Sequence, residues 1–268
     1  MFDRSGNGIF KVSPYRITPH YTGQAKVMGF YFMKKVAILV DGGFYRKQAL
    51  FHFGEKTPKG RADELVKYCR KHLINRSNYK VIKDSKGETH RKYRINDLYK
   101  IFYYDCPSIS KTLYHPLLKK NIDFSKTETY QWMNDFLEYL IHKRKLALRL
   151  GILADKTASY GLKEDIIKKL FSGKLKLEDI TEKDFTLILR QKGVDMKIGI
   201  DITTLAYKKL VDQIVLISGD SDFVPAAKIA RREGIDFIVD SMGHNITNDL
   251  MEHIDGFQSY YKDTKFRN

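Results

Sequence analysis

From Lys35 onward the chain alternates between short apolar runs and stretches whose apolar residues recur every three to four positions, which predicts strand and helix in turn. The run VAILVDGG (36–43) is continuous and β-branched and stops at Asp-Gly-Gly, as expected of a central strand covered on both faces of a parallel sheet. Residues 61–76 place Leu65, Cys69, His72 and Leu73 on one helical stripe. LYKIFYYDCP (98–107) predicts a second strand closed by Asp105 and Pro107, and residues 126–148 a long helix. FTLILRQKGVD (185–195) reads as a third strand entering a turn. Helix 196–210, strand 213–218, helix 222–233, strand 235–240 and a short helix after Asn245 follow. Strict alternation of this kind predicts an α/β fold with a mainly parallel sheet.

Two segments depart from the rhythm. Residues 78–97 resemble a basic hairpin turning at Lys86-Gly87, and residues 149–184 mix short helical and turn signals. The expected organisation is one domain over 33–262 with insertions at about 78–97 and 108–184 and a tail over 263–268. Residues 1–32 lack periodicity and precede a second candidate start, MKKVAILVDGG at Met33. They are expected to be a flexible or artificial leader.

Charge sharpens this picture because it is unevenly distributed. The 268 residues carry a net +16. Residues 56–149 hold 22 Lys and Arg against 10 Asp and Glu, a net of +12, whereas residues 150–268 hold 18 against 19. A concentrated positive field suits a polyanionic partner, although solvated lysines on ordinary helices would give the same count. Tyr79, Tyr93, Tyr99, Tyr103 and Tyr104 are interleaved with cations, as in grips on single-stranded nucleic acid, though most such rings pack in cores. Cys69 and Cys106 lie apart without ligand spacing, which predicts buried thiols rather than a zinc site or disulfide. No run is apolar enough for a bilayer span or secretory signal, so a cytoplasmic location without membrane partners is expected.

The chemistry lies in LISGDSDF, where Asp220 and Asp222 stand one residue apart after a strand. In an open parallel sheet the crevice lies beyond the carboxyl ends of the strands, where strand order reverses. Asp41 ends the first strand, Asp220 and Asp222 follow the strand at 213–218, and Asp195 opens the helix between. Each has an ordinary explanation as a helix cap or turn residue. Together they would raise one another's pKa unless a cation joined them. Carboxylates without His or Cys select a hard ion, Mg²⁺ or Mn²⁺, which supports hydrolysis of a phosphodiester. Arg46, Lys47, Lys192 and Ser218 are further candidates, as binders of substrate phosphate or metal-bound water. Asp201 is expected to support the site or to pair with Lys208 or Lys209. His244 and Asn245 begin a loop on the same side. The glycines at 42 and 43 form no nucleotide-binding pattern.

VAILVDGGFYRK, KGVDMKIGIDITTLAYKK and IVLISGDSDFVPAAKIARREG, in that order, resemble the NYN domain family, specifically its LabA-like group within the PIN-like nucleases. The resemblance implies a Rossmann-like three-layer α/β/α fold and a metal-dependent ribonuclease whose acidic residues match Asp41, Asp195, Asp220 and Asp222. Asp201 also matches an acidic position of the family. The chain departs from the plain domain in the basic hairpin and in the long interval between Asp105 and Asp195. The leading expectation is therefore an Mg²⁺- or Mn²⁺-dependent enzyme that hydrolyses RNA, with residues 56–149 walling its groove. An RNA-binding regulator that cleaves weakly or not at all, or a structure-specific DNA nuclease, fits the same residues. A phosphatase with an Asp-x-Asp nucleophile does not, because Asp41 precedes Gly-Gly. A homo-oligomer is compatible with the sequence.

Overall fold

The computed structural model describes residues 33–85, 87–154, 157–189 and 191–262, which belong to one compact unit, Met33–Asn268. The leader expected over 1–32, the tail over 263–268 and Lys86 of the predicted turn lie outside the described residues. In chain order the elements are β1 (Lys35–Asp41), α1 (Gly42–Phe53), α2 (Pro58–Lys71), β2 (Ile74–Lys83), β3 (Thr89–Ile95), β4 (Asp97–Asp105), β5 (Thr112–His115), β6 (Lys120–Asp123), α3 (Glu128–Ile141), β7 (Leu146–Leu150) and β8 (Ile152–Leu153). There follow β9 (Ser159–Leu162), α4 (Glu164–Phe171), β10 (Phe185–Ile188), β11 (Gln191–Lys192), α5 (Val194–Tyr207), β12 (Gln213–Ile217), α6 (Val224–Arg232), β13 (Asp236–Asp240), α7 (Asn248–Glu252) and β14 (Gly256–Phe257).

Six strands form one parallel sheet in the order β14-β13-β12-β1-β4-β7. The unbroken apolar run of β1 has the expected cause: Val36, Ile38 and Val40 face one layer, while Ala37 and Leu39 face the other. Leu65 and Cys69 of α2 and Phe136 of α3 fill the first layer. Ile198 and Ile202 of α5 and Ala227 of α6 fill the second. The result is a three-layer α/β/α arrangement. Leu65, Cys69, His72 and Leu73 are all buried, as the stripe requires.

The connections fix where a ligand can enter. From β1 the chain moves outward through β4 to β7, then returns to lay β12 on the other side of β1. Strand order therefore reverses between β1 and β12, and the crevice opens beyond their carboxyl ends.

Two predicted elements are corrected. The helix expected over 126–148 ends at Ile141, and Leu146–Leu150 forms the edge strand β7, paired with β4. A turn through Lys145 in the left-handed region (φ 61°) breaks the helix. Residues 185–195 do not enter the main sheet. Phe185–Ile188 pairs with Ser159–Leu162, and Gln191–Lys192 pairs with Ile152–Leu153, in separate two-stranded sheets. The basic hairpin exists as β2–β3. It leads directly into Asp97, which pairs with Lys35 at the start of β1. Its root thus sits at the amino ends of the strands, opposite the crevice, so it does not provide the groove wall expected of residues 56–149.

Candidate active site

Asp41 is the last residue of β1 and the N-cap of α1, accepting a 3.1 Å hydrogen bond from the Phe44 N–H. Capping and convergence on the crevice are thus combined in one side chain. Ser218, one residue past β12 and buried, donates to Asp41 Oδ2 at 3.3 Å and accepts from the Asp220 N–H at 3.3 Å. Asp220 in turn caps the short helix Ser221–Phe223, accepting at 3.0 Å from the Asp222 N–H. One chain of hydrogen bonds therefore runs from the end of β1 into the Asp220–Asp222 turn.

Asp195 enters from α5. Gly193 is the N-cap of that helix at φ 81°, a left-handed conformation that suits glycine, and Asp195 lies in the first turn beyond it. It is not a capping residue. A carboxylate there faces the positive helix end, yet the Asp195 carboxyl, although exposed on one side, is raised above its ordinary pKa by partial desolvation and by the charges of Asp220 and Asp222. The Asp41 carboxyl is raised by burial, with Asp195 and Asp105 adding to it, against the hydrogen bonds from Phe44 and Ser218. Asp41, Asp195, Asp220 and Asp222 therefore share one electrostatic environment.

Asp105, closing β4, belongs beside them, although the sequence pattern assigns it no part in the site. It is buried, raised by desolvation, and held by Tyr103 Oη at 2.8 Å, by the Cys106 N–H at 2.8 Å and by the Arg46 guanidinium. A Cβ on Gly42 would lie 2.4 Å from Asp105 Oδ2, so glycine there lets the start of α1 approach β4. The available signal was an Asp at a strand end before Pro107, the same placement as Asp41.

The remaining candidates separate clearly. Arg46 spends its guanidinium on Asp105 and Met133. Lys47 is exposed on α1 and Lys192 is exposed just before Gly193. Asp201 does not pair with Lys208 or Lys209; it accepts from Tyr104 Oη at 2.8 Å and Arg149 Nε at 3.1 Å, because α5 turns it toward β4 and β7. Lys209 binds Glu233 instead. His244 lies against the other side of the turn, its Nδ1 3.5 Å from where a Gly219 Cβ would stand. Tyr103 and Tyr104 are fully buried, leaving Tyr79 and Tyr93 as the exposed rings of the interleaved set. Cys69 and Cys106 are buried free thiols, with Cys69 raised by burial.

A contrast in pairing marks the site. Asp105 and Asp201 each have an arginine partner, whereas among the described residues Asp41, Asp195, Asp220 and Asp222 form no ion pair. Oxygen-only donors with excess negative charge fit a hard divalent cation. They are not drawn tightly together: among the described residues the only acid/histidine trio with ligand atoms within 4.8 Å of one another is Asp84, Glu88 and His90, at the hairpin turn. Beside Arg46 a cleft of about 790 Å³ runs past Cys106, Trp132, Met133 and Gln191.

The NYN domain profile matches residues 120–260, more than half of the 268-residue chain and including Asp195, Asp220 and Asp222. The chain belongs to the NYN domain family. NYN domains are PIN-like nucleases, and the six-stranded α/β/α architecture accords with that group. The match begins after β1, so Asp41 lies outside the matched residues. No curated protein matches the chain. Among solved structures, a Vibrio parahaemolyticus RIMD 2210633 protein of unknown function is similar at 14% identity, with 85% of this chain and 93% of that chain covered and a TM-score of 0.41. No helix among the described residues is long and apolar enough to cross a membrane.

Proposed function

We propose that this NYN protein is a ribonuclease that hydrolyses phosphodiester bonds at the β1–β12 switch point with Mg²⁺ or Mn²⁺. One observation carries the reading: the Ser218 hydroxyl joins Asp41 at the end of β1 to the Asp220–Asp222 turn after β12, across the point where strand order reverses, and Asp195 adds to the rise that burial gives the Asp41 carboxyl.

Asp41, Asp195, Asp220 and Asp222 are the residues that would hold the ion. When bound, a divalent cation offsets their charge and supplies a water of lowered pKa as nucleophile. The Phe44 N–H and Ser218 Oγ fix the Asp41 carboxylate, and Gly193 sets the angle at which α5 delivers Asp195. Lys47 and Lys192, both exposed on segments adjoining the crevice, are placed to attract flanking phosphates. The cleft past Arg46 has Trp132 and Tyr130 in its lining, aromatic side chains on which unpaired bases can stack.

The test is cleavage of an RNA panel by the full chain with Mn²⁺ or Mg²⁺, with EDTA, and with Asp220→Asn. Cleavage should require the ion and fall by roughly 100-fold or more in the variant. Activity that survives both chelation and the substitution overturns the mechanism. Comparison with DNA of the same sequences, left uncut, separates an RNA enzyme from a DNA-directed one, and continued cleavage after 2′-deoxy substitution at the scissile position alone is expected of a water nucleophile. No three of the crevice carboxylates have ligand atoms within 4.8 Å of one another, which supports a second reading, an RNA-binding regulator that cleaves slowly. In that case binding persists in EDTA while no member of the panel is cut.

A further inference from the structure

The β2–β3 hairpin is built in a way that packing within this chain does not explain. Its strands pair Tyr79↔Tyr93, Lys80↔Lys92, Val81↔Arg91 and Ile82↔His90, so alternate residues define two unlike faces. One face carries Tyr79, Tyr93, Val81 and Arg91; the other carries Lys80, Lys92, Ile82 and His90. Both lie open: on the first, Tyr79, Tyr93 and Val81 are 41%, 39% and 61% exposed, and on the second Ile82 is 43% exposed and Lys80 and Lys92 are exposed too. A two-stranded ribbon with neither face on a core is marginal in water. Lys80 directly opposite Lys92 adds a like-charge pair that weakens it further.

Charge selects the partner. Residues 74–95 hold seven Lys and Arg against two acids, a net of +5. Both acids are gathered at the turn, where Asp84 and Glu88 meet His90 Nε2 at 2.8 and 3.8 Å. The arms are left cationic. On the aromatic face, the Arg91 guanidinium lies 4.7 Å from the centroid of the Tyr79 ring, and the Tyr79 and Tyr93 rings are 5.8 Å apart. Half-open rings with Arg91 and Lys83 on their own face, and Lys80 and Lys92 on the reverse of the same thin ribbon, are the elements of a single-strand grip, in which bases stack and phosphates meet charge.

We propose that this hairpin is a second RNA-binding site, remote from the crevice, that captures single-stranded RNA and tethers it for cleavage elsewhere on the molecule. Remoteness follows from topology. The hairpin joins β4 at Asp97, while the acidic crevice lies past the other end of that strand at Asp105, about 26 Å away at roughly 3.3 Å per residue. The Asn96 N–H bonded to Leu73 O at 2.8 Å closes the base of the hairpin against the end of α2. The tethering role rests on the ribonuclease reading; RNA capture by the hairpin does not.

The two are tested apart, on the full chain carrying Lys80→Ala/Lys92→Ala and, separately, Tyr93→Ala. Fluorescence anisotropy with a labelled RNA of roughly 30 nucleotides, in EDTA, should show weaker binding by both variants. The salt slope of the Lys variant should fall by about 1.4, since each phosphate neutralised on a single strand accounts for about 0.7 of the slope. The Tyr variant should lose affinity with its slope unchanged. In cleavage assays KM should rise for the long RNA with kcat retained, and an RNA of roughly 6 nucleotides, too short to span the two sites, should be cut as before. Unchanged affinity and slope in both variants overturn the hairpin reading, whatever the chain cleaves. Equal weakening on duplex DNA, or a concentration-dependent dimer that disappears in the variants, also overturns it, by giving the ribbon a different occupant. Weakened binding without cleavage of any RNA leaves the hairpin site standing and removes the nuclease.

Discussion

At the level of single side chains, Ser218 connects the two halves of the crevice, because its hydroxyl serves Asp41 and the Asp220 N–H together. Ser218→Ala should leave that N–H without its acceptor at a cost of about 1 kcal/mol, and kcat/KM on RNA should drop about tenfold as the Asp41 carboxylate loses its support. Arg46→Ala should behave differently. It strips a buried carboxylate of its countercharge, so urea unfolding should show a loss of about 2–3 kcal/mol, partly restored by Asp105→Asn; a phosphate-binding arginine would leave stability unchanged. The raised carboxyls give a pH dependence of definite sign. Asp41, Asp105 and Asp195 hold protons more tightly folded than unfolded, so the metal-free protein should lose stability as pH rises from the unfolded value of 3.8 through their raised values. Asp195→Asn in EDTA at neutral pH should therefore melt above the wild type, because one like charge is gone. The aspartates were legible in the sequence because each ends a strand or opens the next element. Asp105 gave the same signal at the end of β4, but its pairing with Arg46, 59 positions away, was not legible, because no local pattern announces such a pair.

At the level of elements, periodicity identified what both faces of the sheet make obvious. β1, β4, β12 and β13 are apolar on two sides and bounded by turn residues. It failed at β7, where Leu-Ala-Leu-Arg-Leu follows an amphipathic helix with no glycine or proline between. Strand and helix propensities are near balance there, and pairing with β4 decides. It failed again at Phe185–Ile188, which is a strand by pattern and a strand in fact, but paired with β9 outside the main sheet. Pattern names an element's type and not its partner. The element that matters most for the site is α5, whose entry is set by Gly193 at φ 81°. Gly193→Ala should cost about 1 kcal/mol in thermal unfolding and reduce cleavage disproportionately, because it redirects Asp195; an equal loss in both would assign the glycine to stability alone.

At the level of the whole molecule, the basic hairpin and the acidic crevice are rooted at opposite ends of one sheet. The acidic crevice lies past the carboxyl ends of β1 and β12, and the basic hairpin is rooted at the amino end of β4. The sequence showed how much positive charge there is and where along the chain it lies, but only the order of the strands shows that the hairpin, which carries a net +5, is rooted at the end of the sheet opposite the aspartates. RNA affinity of the full chain should accordingly fall steeply with salt through the hairpin, while the ion requirement of cleavage resides in the crevice. The most direct test of the central claim is the location of Mn²⁺ by anomalous scattering in crystals of the full chain. The account predicts a peak bonded to carboxylate oxygens from at least two of Asp41, Asp195, Asp220 and Asp222. A peak confined to Asp84, Glu88 and His90 at the hairpin turn, with none in the crevice, would contradict it.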